Sequence, residues 1–269
     1  MKRLKNDKHV IILAAGESKR FGSCKYIEKL GNLPLIFWVL KPYIELQAKE
    51  NLSITIVAGP YYNEIFNSIN DVEEPFTGKV LNITNFNEEK SEGKKGQNID
   101  INLCLNEDYQ KGMFSSVKKG ISSILNLYKN KKHFINESSM IVVSLADMPF
   151  ISRQIVENLI KRLNSKFTDF VVPYFISYNK DGSKSMVKKG HPIALKSNFA
   201  AKLLRYDENL VFRDVLKSGK YKLMKTFDKG ICFDIDIKED LIEAKKLIKC
   251  KFHMEQKFSD GAKYGKKRE

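Results

Sequence analysis

The sequence predicts a three-layer α/β fold, a mostly parallel sheet with helices on both faces. Apolar runs of strand length recur at His9–Ala14, Leu52–Ala58 and Met140–Leu145. They lack the alternation of a one-sided strand, as strands buried on both faces do. Between them lie segments whose apolar residues return every three or four positions, as on helices. The two kinds of segment alternate along the chain, which implies βαβ units and parallel strands.

Taken in order, His9–Ala14 is the first strand and Gly16–Lys25 a polar loop. Pro34–Leu46 carries Leu35, Ile36, Val39, Leu40 and Ile44 at helical spacing, and Pro42 is expected to kink or shorten that helix. Leu52–Ala58 is a strand rich in β-branched residues, ended by Gly59-Pro60. Asn63–Ile69 is a short helix, Val80–Thr84 a strand, and the charged stretch around 85–100 an exposed loop insertion. Ile101–Leu105 is a strand and Ser115–Leu127 a helix with a stripe at Val117, Ile121, Ile124 and Leu125. Met140–Leu145 leads into Ala146-Asp147-Met148-Pro149. Ser152–Leu163 is an amphipathic helix capped by Ser152. Asp169–Phe175 is a strand, Ser177–Lys189 a polar loop and Pro192–Leu195 a short strand. Asn198–Leu204 and Leu210–Leu216 are helices, Tyr221–Thr226 and Ile231–Ile235 strands, and Lys238–Ile248 a final helix.

The 269 residues suit one large domain or two small ones, and with no internal repeat or linker we expect a single domain over 1–250 and a polar, flexible tail over 251–269. The net charge of +15, from 47 basic and 32 acidic residues, could attract nucleic acid, anionic lipid or phosphorylated metabolites. Many lysines fall in tails and loops, as at Lys94-Lys95 and Lys131-Lys132, where charge runs mark solvated segments. Nor do aromatic and basic residues interleave as in a base-stacking platform. The four cysteines form no CxxC pair and no zinc-type cluster, which argues for a reducing compartment. The apolar run after the first lysines is too short for a signal peptide, and no stretch approaches membrane-spanning length, so a cytoplasmic protein is expected.

The strongest chemical signal is the loop after the first strand, Leu13-Ala-Ala-Gly-Glu-Ser-Lys-Arg-Phe-Gly-Ser-Cys-Lys25. Ligands of open parallel sheets gather at the carboxyl ends of strands. Ala14, Ala15 and Gly16 are small enough for a nucleotide to approach the backbone, and Ser18 can donate to a phosphate. Arg20 and Lys25 are spaced to reach one polyphosphate, Arg bidentately and Lys as a point charge. The glycines match neither a P-loop nor a dinucleotide fingerprint. Cys24 adjoins Lys25, a cation expected to lower the thiol pKa.

Asp147 also ends a buried strand. A carboxylate there suits Mg²⁺, which binds through one or two carboxylates plus substrate phosphates; alone, it could equally form a turn. Asp234-Ile-Asp236 is expected on one face of a strand end, with Asp236 able to share a metal with Asp147. Asp240 fits a first-turn helix acid. In Asp108–Val117, Gly112, Ser115 and Ser116 lie at a helix start, where free N–H groups bind anions, although a serine cap explains them too. His191, in Gly190-His-Pro192, is either structural or functional.

In order and spacing these stretches resemble the molybdenum cofactor cytidylyltransferase group of MobA-like nucleotidyltransferases, over about residues 8 to 250. The pieces are Leu13–Lys25, Asp108–Val117, Asp147-Met-Pro149, Gly190-His-Pro192 and Asp234–Leu241. The resemblance implies a Rossmann-like three-layer sandwich of the nucleotide-diphospho-sugar transferase type, with one antiparallel strand near the sheet's end. It implies transfer of CMP from CTP to a phosphate-bearing acceptor such as molybdopterin, with loss of pyrophosphate and delivery of the product to a molybdoenzyme. By motif position, Leu13, Ala14, Ala15, Gly16, Ser18, Gly112, Ser115 and Ser116 would bind the nucleotide. Arg20, Lys25, Asp147 and His191 would be catalytic, with His191 facing the acceptor, and Asp147 and Asp236 would hold Mg²⁺. Guanine-directed members carry Leu-Ala-Gly-Gly; Ala15 in this chain favours a smaller base. A sugar- or alcohol-phosphate nucleotidyltransferase with a different base or acceptor is the alternative, and a non-catalytic nucleotide- or nucleic-acid-binding protein a more distant one.

Overall fold

A computed structural model describes residues 8–47, 52–70, 72–73, 80–84, 98–129, 139–179 and 181–249. The first strand, β1 (Lys8–Ala14), sits in the middle of the large sheet and is buried along nearly its whole length. Its side chains alternate between two cores, Val10, Ile12 and Ala14 on one face and Ile11 and Leu13 on the other. This is why the sequence reads as a continuous apolar run.

After a 3-10 turn at Lys25–Ile27 and the small hairpin β2 (Lys29–Leu30) and β3 (Leu33–Pro34) come α1 (Leu35–Gln47), β4 (Leu52–Ala58) and α2 (Tyr62–Ile69). Pro42 lies inside α1 and does not shorten it. A proline there forgoes one helical hydrogen bond, but Pro42 is itself buried with Ile36, Leu40, Tyr43 and Ile44, and that packing holds the helix through it. Next come β5 (Val72–Glu73), a short strand without a sequence signal, then β6 (Val80–Thr84) and β7 (Asn98–Leu105). Most of the expected insertion lies outside the described residues, but its last residues open β7. The expected tail over 251–269 also lies outside them.

The second half runs through α3 (Met113–Lys129), β8 (Met140–Leu145), α4 (Arg153–Leu163) and β9 (Phe170–Tyr178). Ser152 caps α4, its Oγ accepting from the Ile155 N–H at 3.4 Å. Then follow β10 (Lys184–Lys189), β11 (Ile193–Lys196), α5 (Ser197–Leu203), α6 (Phe212–Leu216), β12 (Tyr221–Thr226) and a last helix, α7, over residues 238–249. Two expectations fail. The segment expected as a loop over Ser177–Lys189 contains β10, an edge strand whose lysines hid it. The segment expected as a strand over Ile231–Ile235 begins in a 3-10 turn at Lys229–Cys232 and continues without strand pairing. Its apolar residues serve separate cores, Ile231 beside the sheet and Ile235 under α7.

The strand order is β10-β9-β11-β8-β1-β4-β7-β6-β5, with β12 on the far side of β9. β6, β7, β4, β1 and β8 are mutually parallel, as are β9 and β12. β11 runs antiparallel between β8 and β9. β10 pairs with the outer part of β9 on the same side as β11, so β10 and β11 form one line broken at Gly190-His191-Pro192. Helices α1, α2 and α4 cover one face of the sheet and α3, α5 and α6 the other, giving the expected three layers. Helix α7 packs with Phe21, Leu30 and Leu35 beside the first loop. Among the described residues no helix is long and apolar enough to cross a membrane.

Candidate active site

The first loop, the end of β8 and the segment before α7 meet at the carboxyl ends of the parallel strands. Backbone bonds fix their meeting: the Ala146 N–H donates to the Leu13 carbonyl at 3.0 Å and the Ile235 N–H to the Asp147 carbonyl at 3.0 Å. A cleft of about 430 Å³ opens there. Leu13, Ala15, Gly16, Ser18, Arg20 and Lys25 line it from the first loop, Gly112 and Ser116 from the start of α3, and Asp147 and Asp236 from the other side. Thus most of the residues expected to bind nucleotide and metal are brought to one cavity.

Charge is tightly paired in this cleft. The Lys25 ammonium, on a side chain only 6% exposed, donates to Asp147 Oδ2 at 2.7 Å, to the Ile235 carbonyl at 2.8 Å and to Asp236 Oδ1 at 3.2 Å. Arg20 reaches Asp236 Oδ2 at 2.8 Å from a side chain 73% exposed. Burial pushes the Asp147 carboxyl above the ordinary carboxylate range; the Lys25 cation opposes that shift, and Asp236 and Asp234 add to it. Asp240 Oδ2 accepts from the N–H groups of Asp236 and Ile237 at 2.8 and 2.9 Å, so the expected helix-start acid also pins Asp236.

Two polar atoms of the cleft are buried without a partner, Asp147 Oδ1 and Ser18 Oγ. Buried polar groups are nearly always satisfied, and both of these atoms belong to residues that line the cleft. Ser18 also holds a left-handed backbone, φ +50°, uncommon for a side-chain-bearing residue. Its carbonyl accepts from the Phe21 and Gly22 N–H groups, both at 2.9 Å, and the turn they close carries Arg20. Among the described residues no cluster of three or more His, Cys, Asp or Glu is arranged to hold a metal. Mg²⁺ needs only one or two carboxylates when phosphates complete its shell, and the free Asp147 Oδ1 fits that role.

Not every expected residue faces the cleft. Ala14 points into the core on the α1 side, because strand alternation turns it away from Leu13. The Ser115 hydroxyl is buried and spent on the carbonyls of Asp108 and Gly112, at 2.9 and 2.8 Å. Cys24 is buried, and burial lifts its thiol to about 11, against the lowering expected from Lys25. The Lys25 ammonium is spent on the carboxylates instead.

One supporting residue escaped the sequence. Asn106, buried after β7, donates to Ser115 Oγ at 2.9 Å and Ser116 Oγ at 3.0 Å and accepts from the Asp108 N–H at 3.2 Å. It carries the start of α3 on the end of β4 through its own N–H, bonded to the Ala58 carbonyl at 2.8 Å. Tyr26, Tyr109 and Gln110 also line the cleft. Adjacency to Lys25 and membership of the Asp108–Val117 stretch are the signals that could have found them.

His191 lies elsewhere. A second cavity of about 770 Å³ adjoins the cleft and shares Gly112 and Met113 with it. Phe114, Phe170, Val172, Ile193 and Phe212 form apolar walls, with Lys189, Arg213 and His191 among them. Nε2 of His191 is buried without a partner, and burial lowers the imidazole to about 4, so it is neutral near pH 7. The break between β10 and β11 creates this place. Gly190 crosses so close to the 3-10 turn that a Cβ there would run into the Ile231 carbonyl, which also accepts from the His191 N–H at 3.2 Å.

The sheet order, the helices on both faces and the cleft at the carboxyl ends of the parallel strands define a Rossmann-like domain of the nucleotidyltransferase type. The chain belongs to the MobA-like NTP transferase family, matching that domain over residues 10–223. It is thus a nucleotidyltransferase of that superfamily. No curated protein matches it. Among solved structures it is similar to the 4-diphosphocytidyl-2C-methyl-D-erythritol synthase of Anaerococcus prevotii, at 14% identity over 91% of this chain and 99% of that one, with a TM-score of 0.59. A nucleotidyl transferase from Methanothermobacter thermautotrophicus gives 12% identity, 90% and 97% coverage and a TM-score of 0.59. The manganese complex of Rv0371c from Mycobacterium tuberculosis gives 15%, 89% and 98%, with a TM-score of 0.50. At such identities these likenesses establish the fold.

Proposed function

We propose that the protein transfers CMP from CTP to a phosphate-bearing acceptor of the molybdopterin kind, releasing pyrophosphate, in the cytoplasm. The observation that carries this is the pair of adjoining cavities. One is lined by phosphate-binding groups and two carboxylates; the other is apolar, with cations and an unpartnered imidazole. A donor and an acceptor need two such compartments meeting at the reacting atoms. Ala15, in place of a glycine, supports the smaller base. The cytidyl product in the name of the Anaerococcus relative and the manganese in the Rv0371c complex agree with a cytidine donor and a divalent metal.

An oxygen of the acceptor phosphate attacks the α-phosphorus in line. The new P–O bond forms as the α–β bridge breaks, and pyrophosphate leaves with the bond electrons. The attacking oxygen is already anionic, so no strong base is needed and catalysis is positioning and charge neutralisation. Lys25 and Arg20 neutralise the triphosphate and the departing pyrophosphate. Leu13, Ala15 and Gly16 let it approach the backbone, and Gly112 and Ser116 face the base and ribose. Asp147 and Asp236 would hold Mg²⁺, which supplies further charge neutralisation when bound. In the second cavity neutral His191 offers Nε2 to a polar edge of the acceptor, Lys189 and Arg213 meet its phosphate, and the phenylalanines pack on its body. A molybdoenzyme would receive the product. The test is pyrophosphate release with CTP, GTP, UTP and ATP against molybdopterin and against sugar and alcohol phosphates. CTP with molybdopterin is the expected pair; turnover confined to a sugar or alcohol phosphate would move the enzyme to that class.

A further inference from the structure

Lys25 and Arg20 are the cations set to meet the triphosphate, and Asp147 and Asp236 the carboxylates set to meet the metal. In the free chain they meet one another. Three of the four carboxylate oxygens are taken by the chain's own cations: Asp147 Oδ2 and Asp236 Oδ1 by Lys25, and Asp236 Oδ2 by Arg20. Only Asp147 Oδ1 stays buried and unpartnered. We propose that the Lys25 ammonium is the resident cation of the free site and competes with a divalent ion for Asp147 and Asp236, so that metal and triphosphate enter together by exchanging partners with it. This rests on the nucleotide-binding role given to the cleft above.

The electrostatics follow from the pairing. A bare divalent ion must settle beside an ammonium that is nearly buried and held by three oxygens, and like charges at close range repel. A bare triphosphate could draw Lys25 and Arg20 away, but only by leaving two neighbouring carboxylates uncompensated. The metal-bound triphosphate does both exchanges at once: its metal takes the carboxylates and its phosphates take the cations. Arg20 is exposed and gives up its pair readily, whereas Lys25 is buried and sets the barrier. Coupling of this kind is reciprocal, so each ligand tightens the other by the same factor.

The test uses the full chain and Mn²⁺ as the probe, with free Mn²⁺ read by electron paramagnetic resonance, the Mn²⁺ held by the analogue alone subtracted from a protein-free control, and no acceptor present. With α,β-methylene-CTP, which cannot be cleaved, Mn²⁺ should bind the wild-type chain roughly 5- to 150-fold tighter than without it, the usual range of coupling between sites. Lys25→Gln removes the competing charge. It should bind Mn²⁺ alone more tightly than the wild type does and lose most of the coupling to the nucleotide analogue. Equal Mn²⁺ affinity of the wild-type chain with and without the analogue overturns the proposal, as does a Lys25→Gln chain that binds Mn²⁺ no tighter. Should Lys25→Gln unfold, Lys25→Met makes the same removal of charge, and absent coupling in the wild type overturns the proposal in any case. Coupling without pyrophosphate release would sink the proposed function alone; turnover without coupling would sink this inference alone.

Discussion

The two cavities that meet at Gly112 are built in opposite ways. The cleft is polar and self-neutralised, its cations and carboxylates locked in pairs across segments more than a hundred residues apart. The second cavity is nearly twice as large, and apolar walls surround an imidazole that finds no partner. A pre-paired site waits for a ligand that matches several charges at once. An apolar site with one orphaned nitrogen selects by shape and by a single hydrogen bond. On the function proposed above, the nucleotide would take the first and the acceptor the second.

The sharpest way to break that division is Asp147→Ala. It removes the partner of Lys25 and the orphaned oxygen, and turnover should fall by at least ~10²-fold, as for loss of a charge-stabilising group. Pyrophosphate release measures it, and near-normal release refutes the role. Gly190→Ala attacks the other side. Its Cβ cannot fit beside the Ile231 carbonyl, so thermal unfolding should come early, by a few kcal/mol of lost stability, on the order of the larger single-site effects. An unchanged melting curve would show that the β10–β11 break tolerates a side chain.

Asn106→Ala should raise the KM for the nucleotide about tenfold, on the scale of a buried polar brace worth 1–3 kcal/mol, and leave the acceptor KM alone. Equal effects on both would erase the division at α3. His191→Gln makes the complementary test, raising the acceptor KM with the nucleotide KM unchanged. It also carries a pH signature. The folded imidazole titrates at about 4, below the unfolded 6.5, so the stability it contributes is present above pH 6.5 and is lost as pH falls toward 4. The wild type should lose up to about 1.4 kcal/mol more per pH unit in that window than the variant. Parallel denaturation profiles from pH 7 to 4 would contradict a buried neutral histidine. The smallest effect concerns Cys24: its raised thiol should leave it nearly inert to iodoacetamide at pH 8, and rapid labelling would show an open loop.

The two cavities were not equally legible in the sequence. The cleft could be read because the groups that line it sit in short local motifs at the ends of strands that announce themselves by two-sided burial, β1 and β8 above all. Their pairing could not, since it joins Lys25 to Asp147 and Asp236 through space. The second cavity had one local signature, Gly190-His191-Pro192, but its walls had none: Phe114, Phe170, Ile193 and Phe212 are ordinary core residues until four distant segments bring them together. β10 stayed hidden because an edge strand guarded by lysines looks like a loop, and Ile231–Ile235 misled because apolar side chains entering two different cores imitate a strand. Asn106 had no signal, being a lone asparagine whose work is done by hydrogen bonds to a helix start.

The most direct test of nucleotidyl transfer is the fate of labelled phosphate. With CTP labelled at the α-position, Mg²⁺ and molybdopterin, the label should appear covalently on the acceptor, and label at the γ-position should leave as pyrophosphate. Release of γ-label as orthophosphate, or retention of all label in CTP under conditions where the nucleotide is bound, would contradict it.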